Sequence, residues 1–218
     1  MTATTWLSAP YNGSDADFRA WGLAFQTAML AIGLTQTSDT GQVNWASVSR
    51  APTISTVAGY EIYRFNDAAQ STKPVFMKIE YGAGSTNINN PQLKFTFGTG
   101  SNGAGTITGA WSTSQQIGTN QSSTTAFGSY ACYDATTGIF WVAPWHGSAT
   151  QNAYVGFMMV ARCWSEDEST QETDYLSWIY LTNQSFSGCS VYRYSTGKLT
   201  DVSIPSAAPG HSATWVRT

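Results

Sequence analysis

Two histidines, His146 and His211, three cysteines, Cys132, Cys163 and Cys189, and a few carboxylates are the side chains whose types invite a search for chemistry. Neither histidine has a second histidine at metal-ligand spacing, and the cysteines form no CxxC pair, so neither a zinc site nor a full disulfide framework is expected. Buried thiols are the simplest reading of the cysteines. If two of them pair, Cys163 with Cys189 is the better choice, since both sit near strand-like segments of the last third. His146 follows Ala-Pro-Trp and precedes Gly, which reads as an exposed turn beside an aromatic. A glycoside hydrolase needs two carboxylates flanking a sugar bond. Glu61, Asp67 and Glu80 lie on or near strand-like runs, but Glu61 and Glu80 fit equally well as cross-strand partners of Arg64 and Lys78.

Other patterns are weaker still. The chain has no GxSxG elbow, P-loop or HExxH. Gly98-Thr-Gly100-Ser-Asn-Gly103 has GxGxxG spacing after a strand. The residues that follow, Ala-Gly-Thr-Ile-Thr-Gly, cannot open the helix that would hold a pyrophosphate, so a glycine-rich β-loop is expected. Glu166, Asp167, Glu168, Glu172 and Asp174 crowd one short segment, a grouping that suits a hard cation such as calcium. That segment lacks the EF-hand order and its glycine, and reads as a solvated loop between strands ending near Trp164 and starting near Tyr175. No catalytic residue, cofactor or metal is therefore assigned. Trp111, Trp141, Trp145 and Trp164 are candidates for a subunit interface or for stacking on sugar rings, with core or interface packing the simpler role.

Composition narrows the class further. Of 218 residues only 11% are charged and 14% are aromatic, with a formal net charge of −3. Disordered chains are charge-rich and aromatic-poor, and nucleic-acid binders carry clustered Lys and Arg, so neither class fits. Between Lys94 and Arg162 the only formally charged residue is Asp134. The N-terminal MTATTWLSAPYNGS has no basic and apolar stretches of a secretory signal, and no apolar run is long enough for a membrane span. A chain of this length buries roughly 70% of its unfolded surface and needs no staple.

The elements that must position these residues are legible as one helix followed by strands. Ser14 is a good N-cap, Asp15 and Asp17 complement the helix dipole, and Gly33 suits a left-handed C-terminal position. Between them Phe18, Trp21, Phe25, Met29 and Ile32 step by three or four and predict a packing face on a helix over about 15–32. Beyond Gly33 the period becomes two. Val75, Met77, Ile79 and Tyr81 alternate with Phe76, Lys78 and Glu80, and Leu93, Phe95 and Phe97 alternate with Lys94 and Thr96. Further strand-like runs are 59–65, 129–133, 138–143, 154–164, 176–181 and 189–194. Asp134–Gly138 and Ser195-Thr-Gly197 have turn chemistry. The expected fold is mainly β, an antiparallel β-sandwich or distorted barrel, with one N-terminal amphipathic α-helix packed on it. The chain divides into a helix-plus-β scaffold over 1–110 and a β-rich half over 111–218, or forms a single domain.

The stretches SDADFRAWGLAFQTAMLAIGLTQTSDTGQVNW, AGYEIYRFNDAAQSTKPVFMKIEYGAGS and LKFTFGTGSNGAGTITG resemble the N-terminal half of a family of tailed-bacteriophage virion structural proteins. The likeness covers about residues 14–110. It is strongest at Phe18-Arg19-Ala20-Trp21-Gly22, Asp39-Thr40-Gly41-Gln42, Gly59-Tyr60-Glu61 and Gly98–Gly105. The resemblance implies a non-enzymatic particle component: tail, baseplate, fibre or capsid decoration, made in the bacterial host cytoplasm and located on the virion. Expected partners are other copies of itself and other virion proteins, with no nucleic acid and no membrane insertion. The alternative is a carbohydrate-binding module that recognises a host surface glycan, and behind it a glycan-degrading enzyme.

Overall fold

The computed structural model describes the backbone over residues 3–10, 13–83, 88, 91–110, 115–118, 126–147, 152–154, 156–164, 171–182, 185–193 and 198–201, and side chains over 13–83, 88, 91–110, 130–143 and 158–162. Strand β1 (Ala3–Pro10) precedes the helix α1 (Asp15–Ala31). Then come β2 (Thr35–Gln36), β3 (Val57–Arg64), β4 (Phe76–Ala83) and β5 (Pro91–Gly98). The short strands β6 (Gly100–Ser101), β7 (Ile107–Thr108) and β8 (Gln115–Gly118) follow. The remainder is β9 (Ala126–Asp134), β10 (Ile139–Gly147), β11 (Asn152–Tyr154), β12 (Gly156–Trp164), β13 (Gln171–Thr182), β14 (Ser185–Arg193) and β15 (Lys198–Asp201).

Helix α1 is defined at both ends by its own sequence. Ser14 Oγ accepts the Asp17 N–H at 3.1 Å. At the other end Gly33 has φ +100°, its N–H reaches the Leu30 carbonyl at 3.0 Å, and the Leu34 N–H reaches the Met29 carbonyl at 3.2 Å. That pair of bonds is a Schellman cap, and it needs a residue that tolerates positive φ. Phe18, Trp21, Phe25, Met29 and Ile32 are all buried against the sheets. The helix is not long and apolar enough to cross a membrane.

Two antiparallel sheets face each other. The smaller runs β2-β3-β4-β5-β8, and the larger β1-β9-β10-β12-β13-β14-β15 with β11 on β10. Neither closes into a barrel; the arrangement is sandwich-like. In the smaller sheet the alternation sorts the faces. Tyr63, Met77, Ile79, Tyr81, Leu93, Phe95 and Phe97 are buried, while Tyr60, Lys78, Glu80 and Lys94 on the other face are half-exposed. From the larger sheet Tyr133, Phe140, Val142, Met158 and Val160 join the same core. Phe65 bridges the two sheets, its ring 5.1 Å from that of Tyr133 and 5.9 Å from that of Phe140. The sequence halves interlock, because β1 pairs with β9 in the larger sheet and β8 pairs with β5 in the smaller.

The β9–β10 hairpin turns where its residues predict. Gly138 has φ +65°, its N–H donates to the Asp134 carbonyl at 2.8 Å, and Asp134 Oδ1 accepts the Thr136 N–H at 3.0 Å. The turn 194–197 lies outside the described residues, between strands that pair from Arg193 and Lys198. Two expectations fail. His146 sits in β10, in register with Phe127 and Ala153, not in a turn. Cys163 is in register with Glu172 and Cys189 with Ile179, on opposite sides of β13. The two cysteines are therefore two strands apart, about 10 Å, and displaced about 23 Å along the strands, far beyond disulfide reach. Cys132 is buried and free.

Candidate functional site

The densest polar grouping lies beneath α1, on the inward face of the smaller sheet. Strand parity places Glu61 there beside Tyr63, and the register with β4 sets Ile79 opposite it. Glu61 has no exposed surface. Its Oε1 accepts the Trp45 indole N–H at 3.0 Å and the Gln26 amide; its Oε2 accepts the hydroxyls of Tyr63 at 2.9 Å and Tyr81 at 2.5 Å. Burial pushes the Glu61 carboxyl pKa up, outweighing the hydrogen bonds from Tyr81, Trp45, Tyr63 and Gln26 that act to lower it. Burial also raises the phenol pKa values of Tyr63 and Tyr81, and the neighbouring Glu61 adds to both.

Trp45 is held edge-on to Tyr81, ring centroids 4.8 Å apart, in the space left by Gly22. A Cβ at Gly22 would lie 2.0 Å from Trp45 Cη2, so only glycine lets the indole cross the helix there. From Gln26 the polar chain continues outward. Its Nε2 also reaches Gln36 Oε1 at 3.3 Å, Gln36 Nε2 donates to Gln42 Oε1 at 3.1 Å, and that same oxygen accepts the Ile62 N–H at 2.8 Å.

Asp39 anchors the outer end. It accepts from Thr37 Oγ1 at 2.6 Å, from Ser101 Oγ, and from the Gly105 N–H at 3.1 Å. Burial acts to raise its pKa, but hydrogen bonds from Ser101, Thr37 and the backbone of Gly105 and Gly103 prevail and hold it below the ordinary carboxylate value. The glycine-rich loop is the β6–β7 hairpin, fastened at its tip where the Thr40 N–H meets the Gly103 carbonyl at 2.9 Å. Tyr60 wedges its hydroxyl between Gly41 and Gly105 and donates to the Thr40 carbonyl at 2.6 Å. Thus the segments 18–22, 39–42, 59–61 and 98–105, far apart in the chain, meet in one network.

A second buried pair joins the sheets. Arg162 on β12 makes a bidentate contact with Asp67, just beyond β3, at 2.7 Å (Nε–Oδ2) and 2.8 Å (Nη2–Oδ1). Both side chains have no exposed surface. Beside it Tyr133 Oη accepts the Asn66 N–H at 2.7 Å, and burial raises the Tyr133 phenol pKa. On the outside of this junction lies an open cleft of about 410 Å³, lined by Arg64, Asn66, Gln70, Ser71, Pro74 and Phe76 among others.

The carboxylates considered for glycoside hydrolysis do not converge. Glu61 is sealed in the core, Asp67 is tied to Arg162, and Glu80 lies on the opposite face of the smaller sheet, 3.0 Å from Lys78. They cannot flank one sugar bond, and the cross-strand pairing considered for Glu61 with Arg64 is replaced by its four neutral donors. Trp141 is half-buried in β10, opposite Cys132 and Met159. Trp145 lies in β10 in register with Gly128 and Tyr154, and Trp164 ends β12 beside Gln171; the side chains of both, and all of Trp111, fall outside the described residues. So do His211 and the acidic residues Glu166, Asp167 and Glu168, while Glu172 and Asp174 belong to β13. Residues overlooked in the sequence are Gln26, Gln36, Gln42, Trp45 and Arg162. One signal was present: Glu61 stands at an inward position of an alternating strand, which demands buried donors.

Comparison with protein-family models, with curated proteins and with solved structures gives no match.

Proposed function

We propose that this chain is a non-enzymatic structural protein of a tailed-bacteriophage particle, a tail, baseplate, fibre or capsid-decorating component that works through contacts with copies of itself and with other virion proteins. The observation that carries the reading is the outward side of α1. Ala16, Ala20, Leu23, Thr27, Leu30 and Ala31 are exposed there, with Leu23 at 49% and Leu30 at 45%, and none is charged. Thr27 turns its hydroxyl back to the Leu23 carbonyl at 2.8 Å, which leaves its methyl group as the outer surface. With its other side in the core, the helix from Ala20 to Ala31 carries no charge and only Gln26 and Thr27 are polar, close to the pattern of a helix covered on both sides. The helix lies beside β1, the outermost described strand of the larger sheet, whose backbone edge is of the kind that pairs with a neighbouring chain.

The buried networks point the same way. Glu61, Asp67 and Arg162 are spent on holding the scaffold, and the likeness of residues 14–110 to virion structural proteins rests on the strings that build it. A second copy suits the helix stripe because a charge-free surface meets itself around a two-fold without repulsion. Size-exclusion chromatography with light scattering tests this. The wild-type chain is expected to self-associate at micromolar concentration, and Leu23→Glu with Leu30→Glu to give a folded monomer with an unchanged circular dichroism spectrum. A wild-type monomer that also fails to join particles would overturn the reading.

A further inference from the structure

We propose that the cleft beside residues 64–76 binds an acidic saccharide unit, its carboxylate on Arg64. The cleft holds about 410 Å³, within the range of small-ligand sites. Arg64 is exposed at the end of β3, and its side chain makes no ion pair or hydrogen bond among the described residues. The one carboxylate in the lining, Asp67, has both oxygens on Arg162, so it does not compete for the Arg64 guanidinium and its charge is compensated. A planar guanidinium without a partner at the rim of a cleft matches a carboxylate in bidentate geometry.

The rest of the lining selects what carries that carboxylate. Phe76 stands directly opposite Arg64 in the β3–β4 register, half-buried, and with the half-buried Pro74 it forms an apolar floor beside the cation. The Gln70 side chain is oriented by the Val75 N–H, which donates to its Oε1 at 2.9 Å, leaving its amide hydrogens for a ligand. Ser71 is exposed, and its hydroxyl makes no hydrogen bond among the described residues. A cation, an amide donor, a hydroxyl and a flat apolar surface together fit a uronic acid, whose ring has a carboxylate, hydroxyls and a C–H face that stacks on an aromatic. A bare carboxylate such as acetate would use Arg64 and leave Gln70, Ser71 and Phe76 without a role. The site also differs from the tryptophan platforms considered from sequence, because its aromatic surface is Phe76.

Calorimetric or NMR titration of the whole chain with D-glucuronate, D-glucose, acetate and a short aspartate-containing peptide tests the assignment. Glucuronate is expected to bind in the millimolar range, and glucose, acetate and the peptide each about tenfold or more weakly, as the loss of one charged or stacking contact requires. Arg64→Gln should weaken glucuronate about tenfold without changing the melting temperature, since Arg64 is exposed, and Phe76→Ala should weaken it in the same direction. Acetate or the peptide binding as tightly as glucuronate would make this a bare carboxylate or peptide site. Undetectable glucuronate binding, or binding unchanged in Arg64→Gln, would remove the site altogether. The outcome is independent of the particle reading: a monomer that binds glucuronate retains the cleft assignment and loses the assembly one.

Discussion

Replacing Glu61 by Gln and, separately, by Ala asks which protonation state the core is built around. The side chain has no exposed surface, and no cation is among its hydrogen-bond partners. Its two oxygens face different company. Oε1 meets the Trp45 indole and the Gln26 amide, which can only donate; Oε2 meets the Tyr63 and Tyr81 hydroxyls, which can turn and accept. A proton on Oε2, with one tyrosine hydroxyl turned to accept it, is therefore compatible with all four contacts, in keeping with the upward shift that burial imposes. Gln keeps the acceptor at Oε1 and puts an amide at Oε2, which can donate to tyrosines that turn to accept but cannot itself accept, so Glu61→Gln should cost only about 1 kcal/mol. Ala does neither. It leaves the Trp45 N–H and at least one tyrosine hydroxyl buried without acceptors, at ~1–3 kcal/mol each, beside a small cavity, for a total of about 3–5 kcal/mol.

For a chain of this size that loss lowers the melting temperature by roughly 10 °C. Urea unfolding of the three proteins between mildly acidic and mildly alkaline pH is the assay. A carboxyl whose pKa is raised on folding contributes stability that is complete below the ordinary value of 4.5 and is lost as pH rises through the raised one. Wild type should thus lose stability over that interval, below the range in which phenols titrate, while Glu61→Gln should lose less. If Glu61→Gln is as damaging as Glu61→Ala, the core holds an ionised carboxylate and the proton assignment is wrong.

Two other substitutions probe the frame around this network. Asp67→Ala leaves Arg162 buried without its carboxylate and should cost about 3–5 kcal/mol in urea unfolding; the double change Asp67→Leu with Arg162→Met should recover much of it, because a buried ion pair is easier to replace than to halve. Gly22→Ala puts a methyl where the Trp45 ring lies and displaces the indole from Glu61 and Tyr81, so it should cost at least about 2 kcal/mol and weaken the near-ultraviolet circular dichroism of the tryptophans. An alanine variant as stable as wild type would show that Trp45 packs elsewhere.

Legibility followed the range of the interactions. Helix α1 could be read because Ser14, the stepping aromatics and Gly33 act within a turn or two of one another. The strands around Met77 and Phe95 could be read because alternation is local. Strand β1 could not: Trp6 and Leu7 are adjacent, with no period of two around them, and its state depends on pairing with residues 126–133. Arg162 and Asp67 are 95 residues apart, and nothing near either names the other. The excluded pairing of Cys163 with Cys189 has the same origin, since sheet order decides it and β13 happens to run between them. Gly22 is the intermediate case, a mid-helix glycine that announces a close approach without saying which residue approaches.

Four short strings, 18–22, 39–42, 59–61 and 98–105, are each unremarkable alone and contain no catalytic pattern. In the fold they constrain one another. Gly22 admits Trp45, Trp45 and Gln26 hold Glu61, Gln36 and Gln42 relay from Gln26 to the backbone of β3, and Asp39 clamps the glycine hairpin. Changing one member leaves a donor or acceptor of another unmet, at ~1–3 kcal/mol for each buried group, so the set resists piecemeal change more than an exposed surface does. Contacts with a partner or ligand must then be sought where these constraints are absent: on the outer stripe of α1, in the cleft at Arg64, and on the strands that follow residue 110.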